Sequence, residues 1–383
     1  VKDAPPGDEQ LSDALVFEVA KRWLLATGEE QKKLTTGVAE WLVDKHGRDL
    51  PWLDHRWSRK RKVDLTRYRI YRIVRQGIER GFVQLHPPQA VQLREQLLEK
   101  YHLDPHQHDI TVVDVADDVN DMVARQTAEV ALNAIRKLHR HNLEIAQQQG
   151  LREDQAEPVG IGLGAGYSSL AVVSQLAKMI SALTDPPRLR LHALTSTIAD
   201  TRISPVAFFG LFPGDDNVYV DLPTTATVRG KDFESLTHQD PKIRAAFELR
   251  DKVQLIITSL GAADDEHGTL RQYINYRREQ PISFGDKLNG VELIGDLQYL
   301  PYSRSQAIPL SESDGWRVVT LFDWPDLQKF AEDENHHLII CAAPCRQCGV
   351  HKTKAIVPLL ENLRLWRNLV TDRKTAEQLL AST

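Results

Sequence analysis

Apolar residues recur along this chain with two different periods, and the change between them divides it. In residues 11–25, Leu15, Val16, Val19 and Leu24 fall at helical spacing. Val38, Leu42 and Val43 do the same in residues 35–46. A break follows, RDLPWLDHRWSRKRKVD, holding Pro51, two tryptophans and four consecutive basic residues. Residues 65–80 predict a third helix, stopped by Gly81. Residues 82–86 alternate like a short strand, and Pro87-Pro88 ends it.

A short amphipathic helix at 89–101 and a polar linker at 102–108 lead into the second regime. Strands are expected at 110–115, 158–163, 189–195, 217–220, 253–260, 317–321, 337–342 and 368–371. A long helix over 117–149 presents Val123, Val130, Ala134 and Leu138 on one face. Shorter helices are expected at 168–183, 204–211, 240–250, 325–333, 352–363 and 372–381. Strands alternating with helices predict a mostly parallel sheet covered on both faces. The pattern divides the chain at residues 1–108 and 109–383.

Composition adds limits. Of 383 residues, 42% are hydrophobic and 26% charged, too apolar for a disordered chain. No run of ~18 apolar residues exists, so no transmembrane helix is expected. The polar, acidic start VKDAPPGDEQ does not read as a signal peptide. Three cysteines cannot make a disulfide framework, which fits a reducing cytoplasm.

Charge changes the picture more. The net charge is −5, yet residues 51–80 hold ten basic and three acidic residues. Such a local field on an acidic protein points to a polyanion. At ~100° per residue, Ile70, Ile73, Val74, Gly77 and Ile78 share one helix face, with Arg69, Arg72 and Arg75 opposite and Tyr68 and Tyr71 beside them. Arginine pairs bidentately with guanine, and both arginine and tyrosine bind phosphates. With the preceding helices and following strand, this reads as a winged helix-turn-helix. Arg59, Lys60, Arg61, Lys62 and Arg67 extend the basic surface, the first four either as an arm or as part of a displaced turn. The plainer alternative is a solvated basic face.

In the second domain, Pro158 to Leu170 reads as strand, glycine-rich turn and helix start. Gly162, Gly164 and Gly166 let the backbone turn tightly, and Ser168 and Ser169 sit where free N–H groups favour an anion. The turn is neither a dinucleotide fingerprint nor a Walker A motif. Close helix–sheet packing with a serine cap is the alternative.

Residues 110–383 resemble the effector domain of SorC/DeoR-type bacterial transcriptional regulators. Gly166-Tyr167-Ser168-Ser169 stands where that family has a Gly-Gly-Thr-Thr-like phosphate loop. Asp221-Leu222-Pro223 and Thr224-Thr225-Ala226 resemble its Leu-Pro-Ala-Pro segment, and residues 255–261 its strand ending in Gly-Ile-Gly. Ile294-Gly295-Asp296-Leu297 resembles its Val-Gly-Asp, and Lys352-Thr353-Lys354-Ala355-Ile356 its Lys-x-x-Ala-Ile. Residues 369–380 are similar to its final Leu-Val-Thr-Asp-Glu-x-Thr-Ala-x-x-Leu-Leu.

The resemblance implies a Rossmann-like, sugar-phosphate-isomerase-like effector domain behind the winged helix-turn-helix. It further implies a regulator that binds operator DNA and a phosphorylated sugar or related metabolite, works as a homo-dimer or homo-tetramer and needs no cofactor. Carried over by position, Gly164, Gly166, Ser168 and Ser169 hold a phosphate, Asp296 a sugar hydroxyl, and Lys352 a phosphate or hydroxyl. Asp296 as a helix cap and Lys352 as a solvated lysine are the alternatives. An isomerase or hydrolase acting on sugar phosphates is the competing function, with Glu292, Asp296 and the run Asp264-Asp265-Glu266-His267 as candidate bases.

One segment departs from the family. Cys341, Cys345 and Cys348 fall within eight residues, with His351 three beyond. Cys345, Cys348 and His351 are weak metal ligands at this spacing, with His336 or His337 as substitutes, because structural zinc prefers two well-separated pairs. A Cys345–Cys348 redox pair and plain reduced thiols are the other readings; no metal is assigned.

Overall fold

The computed structural model describes residues 11–25, 34–48, 50, 53–79, 86–196, 198, 200–212, 214, 216–229, 232–277, 287–288, 291–308 and 316–382. The chain divides into two units, Val1–His86 and Pro87–Thr383.

The first unit is built on α1 (Asp13–Leu25), α2 (Leu34–His46) and α3 (Arg59–Glu79). The apolar stripes converge on one core: Val16 and Val19 from α1, Ala39 and Leu42 from α2, Val63, Ile70, Ile73 and Val74 from α3. The expected inward stripe of α3 is therefore inward at Ile70, Ile73 and Val74, whereas the Ile78 side chain lies outside the described ones. Its start differs from expectation. Arg59 to Lys62 form the first turn of α3, so the basic run is helical and not an arm. Ser58 offers the preceding hydroxyl, though its approach to Arg61 N is long at 3.4 Å. The expected strand at 82–86 lies, except for His86, outside the described residues, and His86 itself is not in a strand.

The second unit begins earlier than the sequence pattern suggests. Helix α4 (Val91–Lys100) and the turn after it pack against the sheet, not in a linker. Tyr101 Oη donates to Leu379 O at 3.1 Å, and His108 is buried against Trp366. The strands are β1 (Asp109–Val113), β2 (Val159–Leu163), β3 (Leu189–Ala193), β4 (Val218–Val220), β5 (Thr227–Arg229), β6 (Leu255–Ala262), β7 (Lys287–Leu288), β8 (Val291–Glu292), β9 (Gly295–Leu297), β10 (Leu300–Tyr302), β11 (Trp316–Val318), β12 (His337–Ala342) and β13 (Asn368–Asp372). The helices are α5 (Val119–Gln148), α6 (Tyr167–Ser181), α7 (Pro205–Phe209), α8 (Phe233–Gln239), α9 (Pro241–Glu248), α10 (Thr269–Arg277), α11 (Trp324–Glu332), α12 (Thr353–Glu361) and α13 (Arg373–Ala381).

Seven strands run parallel in the order β1-β13-β12-β6-β2-β3-β4. Every residue of β2 and β12 is buried, as expected where helices cover both faces. From β2 the chain moves outward through β3 to β4, then returns to the other side of β2 with β6. That reversal is a topological switch point, which opens a crevice at the strands' carboxyl ends. Two expectations change. Residues 317–321 give only β11, which pairs antiparallel with β5 as a separate two-stranded sheet, while Thr320 bridges Thr195 and the Leu321 N–H donates to Leu194 O just after β3. β6 runs on to Ala262 because its end pairs antiparallel with β9.

Candidate functional site

In the first unit, α3 carries eight Lys/Arg and two Asp/Glu. Its outward face holds Tyr68, 85% exposed, and Tyr71, 60% exposed, with Arg72 and Arg75 exposed and Arg69 partly so. Tyr71 packs edge-on against Trp23, and its hydroxyl lies 3.4 Å from Thr35 Oγ1. Part of the basic run is tied down. Arg59 chelates Asp44 at 2.7–2.9 Å, holding that carboxyl below its usual range. Arg61 stacks 4.5 Å over Trp57, and Lys62 donates to His55 O at 3.1 Å. Lys60 and Arg67 are exposed. The first turn contains no acidic residue. Four cations at a helix N-terminus oppose the macrodipole, a cost that a polyanion removes.

In the second unit, a cleft of about 250 Å³ opens at the switch point. The turn after β2 contributes Ala165, Gly166, Tyr167 and Ser168; the end of β6 contributes Ser259, Leu260 and Gly261. Gly166 has φ +117°, a backbone that favours glycine, and starts α6. The first-turn N–H groups of α6 have no intrahelical acceptors, so an anion at this end is favoured. Ser168 lines the cleft and is half-buried. Ser169 does not: it is 1% exposed, and its hydroxyl lies 3.1 Å from Ala165 O and 3.2 Å from Ser259 Oγ. Gly164 is also a packing residue, since a Cβ there would lie 2.4 Å from Thr258 Oγ1. The anion end therefore rests on Gly166 and Ser168 among the four expected positions.

Asp296 and Lys352 both line the cleft. Asp296 lies on β9 opposite Gly261, where a Cβ would fall 2.0 Å from its Oδ1. Its Oδ2 accepts the Tyr299 N–H at 3.2 Å, and burial pushes its carboxyl up to about 6. It caps no helix. Lys352 is 7% exposed, not solvated; Nζ donates to Leu260 O, and burial lowers its pKa. Glu292 is exposed and lies outside the cleft.

The cleft also holds a residue that sequence reasoning missed. Gln298 and Tyr299 form the two-residue turn of the β9–β10 hairpin, with φ +54° and +64°. Such turns are ordinarily Asn-Gly, so two bulky residues here store strain, which clusters at functional sites. Gln298 is 4% exposed, and among the described residues its Nε2 has no hydrogen-bond partner. It offers a buried donor to whatever occupies the cleft. Nothing in the local sequence marks it, because a Gln-Tyr turn carries no turn signature.

The cysteines separate. Cys341 is the penultimate residue of β12, fully buried, with its thiol pushed up by burial. Cys345 and Cys348 come within reach of Asp265 and His267, while His351 turns away to Thr375 Oγ1 at 2.8 Å and Asp372 Oδ1 at 3.4 Å. His336 and His337 do not join the group.

No family model matches the chain, and no curated protein does. Solved structures do. The full-length sorbitol operon regulator SorC from Klebsiella pneumoniae is similar with a TM-score of 0.56 at 15% identity, over 93% of this chain and 100% of that one. The probable sor operon regulator from Shigella flexneri reaches a TM-score of 0.50 at 15% identity, over 76% of this chain and 98% of that one. A DeoR family transcriptional regulator from Listeria monocytogenes gives 0.50 at 14% identity, over the same shares. The likeness is one of fold, and it is the fold that the sequence motifs imply.

Proposed function

We propose that this chain is a ligand-responsive DNA-binding transcriptional regulator whose second unit binds a phosphorylated sugar or related metabolite. The observation that carries the reading is the pairing, in one chain, of a helix with eight basic residues and a switch-point cleft with an anion-favouring end. The similar structures bear the names of transcriptional regulators, which supports it. Arg69, Arg72, Arg75, Tyr68 and Tyr71 face the duplex in this reading, with Arg59 to Lys62 and Arg67 on its phosphates. Gly166 and Ser168 take the effector's phosphate, Asp296 its hydroxyls, and Lys352 and Gln298 its charged or polar groups. A two-fold operator requires at least a dimer, since one recognition helix reads one half-site. Such a protein works in the cytoplasm and has no catalytic role.

The test has two arms on the full chain. Selection from a random duplex library yields a preferred sequence, and a thermal-shift panel of phosphorylated sugars yields a ligand. The ligand must then change affinity for that duplex, because equal binding to both states shifts nothing. Ser168→Asp sets a carboxylate where the phosphate sits and lowers ligand affinity by at least about tenfold. No sequence preference in the selection refutes the regulator.

The isomerase alternative is not favoured, since the similar structures bear the names of transcriptional regulators. Turnover of a sugar phosphate by the wild type, lost in Asp296→Asn, would establish it. The basic face of α3 has no role in that chemistry.

A further inference from the structure

Two loops meet at the wall of the cleft. The loop after β6 carries Asp265 and His267, and the loop after β12 carries Cys345 and Cys348. One ligand atom from each of the four residues lies within 4.8 Å of the other three. His267 Nδ1 is 3.7 Å from Cys345 Sγ and 3.5 Å from Asp265 Oδ1. Cys348 Sγ is 3.7 Å from the same Oδ1. A tetrahedral centre with bonds of ~2.0–2.3 Å spaces its ligand atoms roughly 3.3–3.8 Å apart. Three edges of such a tetrahedron are therefore already in place.

The loops hold these groups for reasons of their own. The backbone N–H groups of Gln347 and Cys348 donate to the Cys345 sulfur. Gly349, at φ +72°, closes the turn, and its N–H donates to Cys345 O at 2.8 Å. Asp265 Oδ1 accepts the His267 N–H at 2.9 Å, which orients the carboxylate. The spacing objection raised by the sequence also falls away. The four donors form two pairs, far apart in the chain and joined by the sheet order, because β12 lies directly beside β6.

We propose that Asp265, His267, Cys345 and Cys348 bind one zinc ion that clamps the β6 and β12 loops together. Two thiolates, an imidazole and a carboxylate suit a borderline-soft cation and not magnesium or calcium. Four protein ligands close the coordination sphere, so the ion is structural and not a Lewis acid. Both thiols lose their protons on binding, which makes affinity fall at low pH. Asp265, His267 and Cys345 also line the cleft, so the clamp shapes the wall against which a ligand packs.

The test uses the reduced, full-length protein stripped with a chelator and titrated with Co²⁺, then Zn²⁺. One Co²⁺ per chain should bind with a sulfur-to-cobalt charge-transfer band and strong tetrahedral visible bands. One equivalent of Zn²⁺ should displace it and raise the melting temperature. Cys345→Ser/Cys348→Ser should abolish the bands and weaken zinc at least about 100-fold, whereas Cys341→Ala should keep them. If the double variant does not fold, His267→Ala carries the test, because that side chain is 35% exposed. Wild-type protein that binds less than one metal per chain overturns the proposal. So do thiolate bands that persist in a folded double or His267 variant, or a Cys345–Cys348 disulfide formed in place of metal binding.

Discussion

The eight basic residues of α3 are arranged by one helix, whereas the cleft of the second unit draws its lining from segments spread between residues 120 and 352. The difference is one of range. On α3 the 3.6-residue period alone separates the buried Ile70, Ile73 and Val74 from the outward Arg72 and Arg75. In the cleft, Asp296 and Gly261 meet because β9 folds back on β6. Substitutions on the helix face should act almost independently and leave the fold alone. Those in the cleft share neighbours, so packing and binding should fail together.

The sharpest way to break this contrast is Arg69→Ala/Arg72→Ala/Arg75→Ala. Affinity for the selected duplex should fall at least about 100-fold, since each good bidentate base pairing is worth ~1–3 kcal/mol. The log–log salt slope should shrink by about 0.9 for every phosphate that the variant no longer neutralises. The melting temperature should stay close to wild type. Anisotropy titrations at several salt concentrations, beside a melt, read all three. Unchanged affinity would place the binding surface elsewhere.

Gly261→Ala probes the other side. The new Cβ would lie 2.0 Å from Asp296 Oδ1, so strand or carboxylate must move. We expect a loss of ~1–3 kcal/mol in denaturant melts, together with weaker ligand binding. A variant that loses ligand at full stability would show that the two are separable.

Asp296 adds a pH signature. Its carboxyl rises from 3.8 to about 6 in the folded chain, so the native state holds the proton more tightly than the unfolded one. The stability this contributes is complete below about pH 4 and is lost as pH rises through about 6. Asp296→Asn keeps an acceptor for the Tyr299 N–H but cannot ionise. It should remove that fall and raise stability at pH 7 by ~1–3 kcal/mol, while weakening ligand. Chemical denaturation of both proteins across pH 4–7 tests the sign.

Arg59→Ala should have the smallest effect. Its pair with Asp44 is solvated at both ends, so the melting temperature should not change measurably. Only a modest loss of duplex affinity is expected, confined to low salt. A large stability loss would mean that the first turn of α3 depends on this pair.

Where burial follows a local period, the sequence alone determined the outcome. The helices at 13–25, 34–46 and 119–148 and the sheet strands at 159–163, 337–342 and 368–372 lie within about two residues of their expected bounds. The inward stripe and outward arginines of α3 were legible for the same reason. Tertiary structure alone decided which strand lies beside which. A buried run such as 255–262 states that it is covered, not by what, and β9 and β10 are too short to carry a period. Strand order turned Gly164 and Ser169 into packing residues and buried Lys352 under the cleft. It also exchanged His351 for Asp265 and His267 as neighbours of the Cys345–Cys348 turn. Side-chain periodicity is a property of a few adjacent residues, whereas pairing between strands some 80 residues apart minimises the free energy of the whole sheet, and no short window of sequence contains that information.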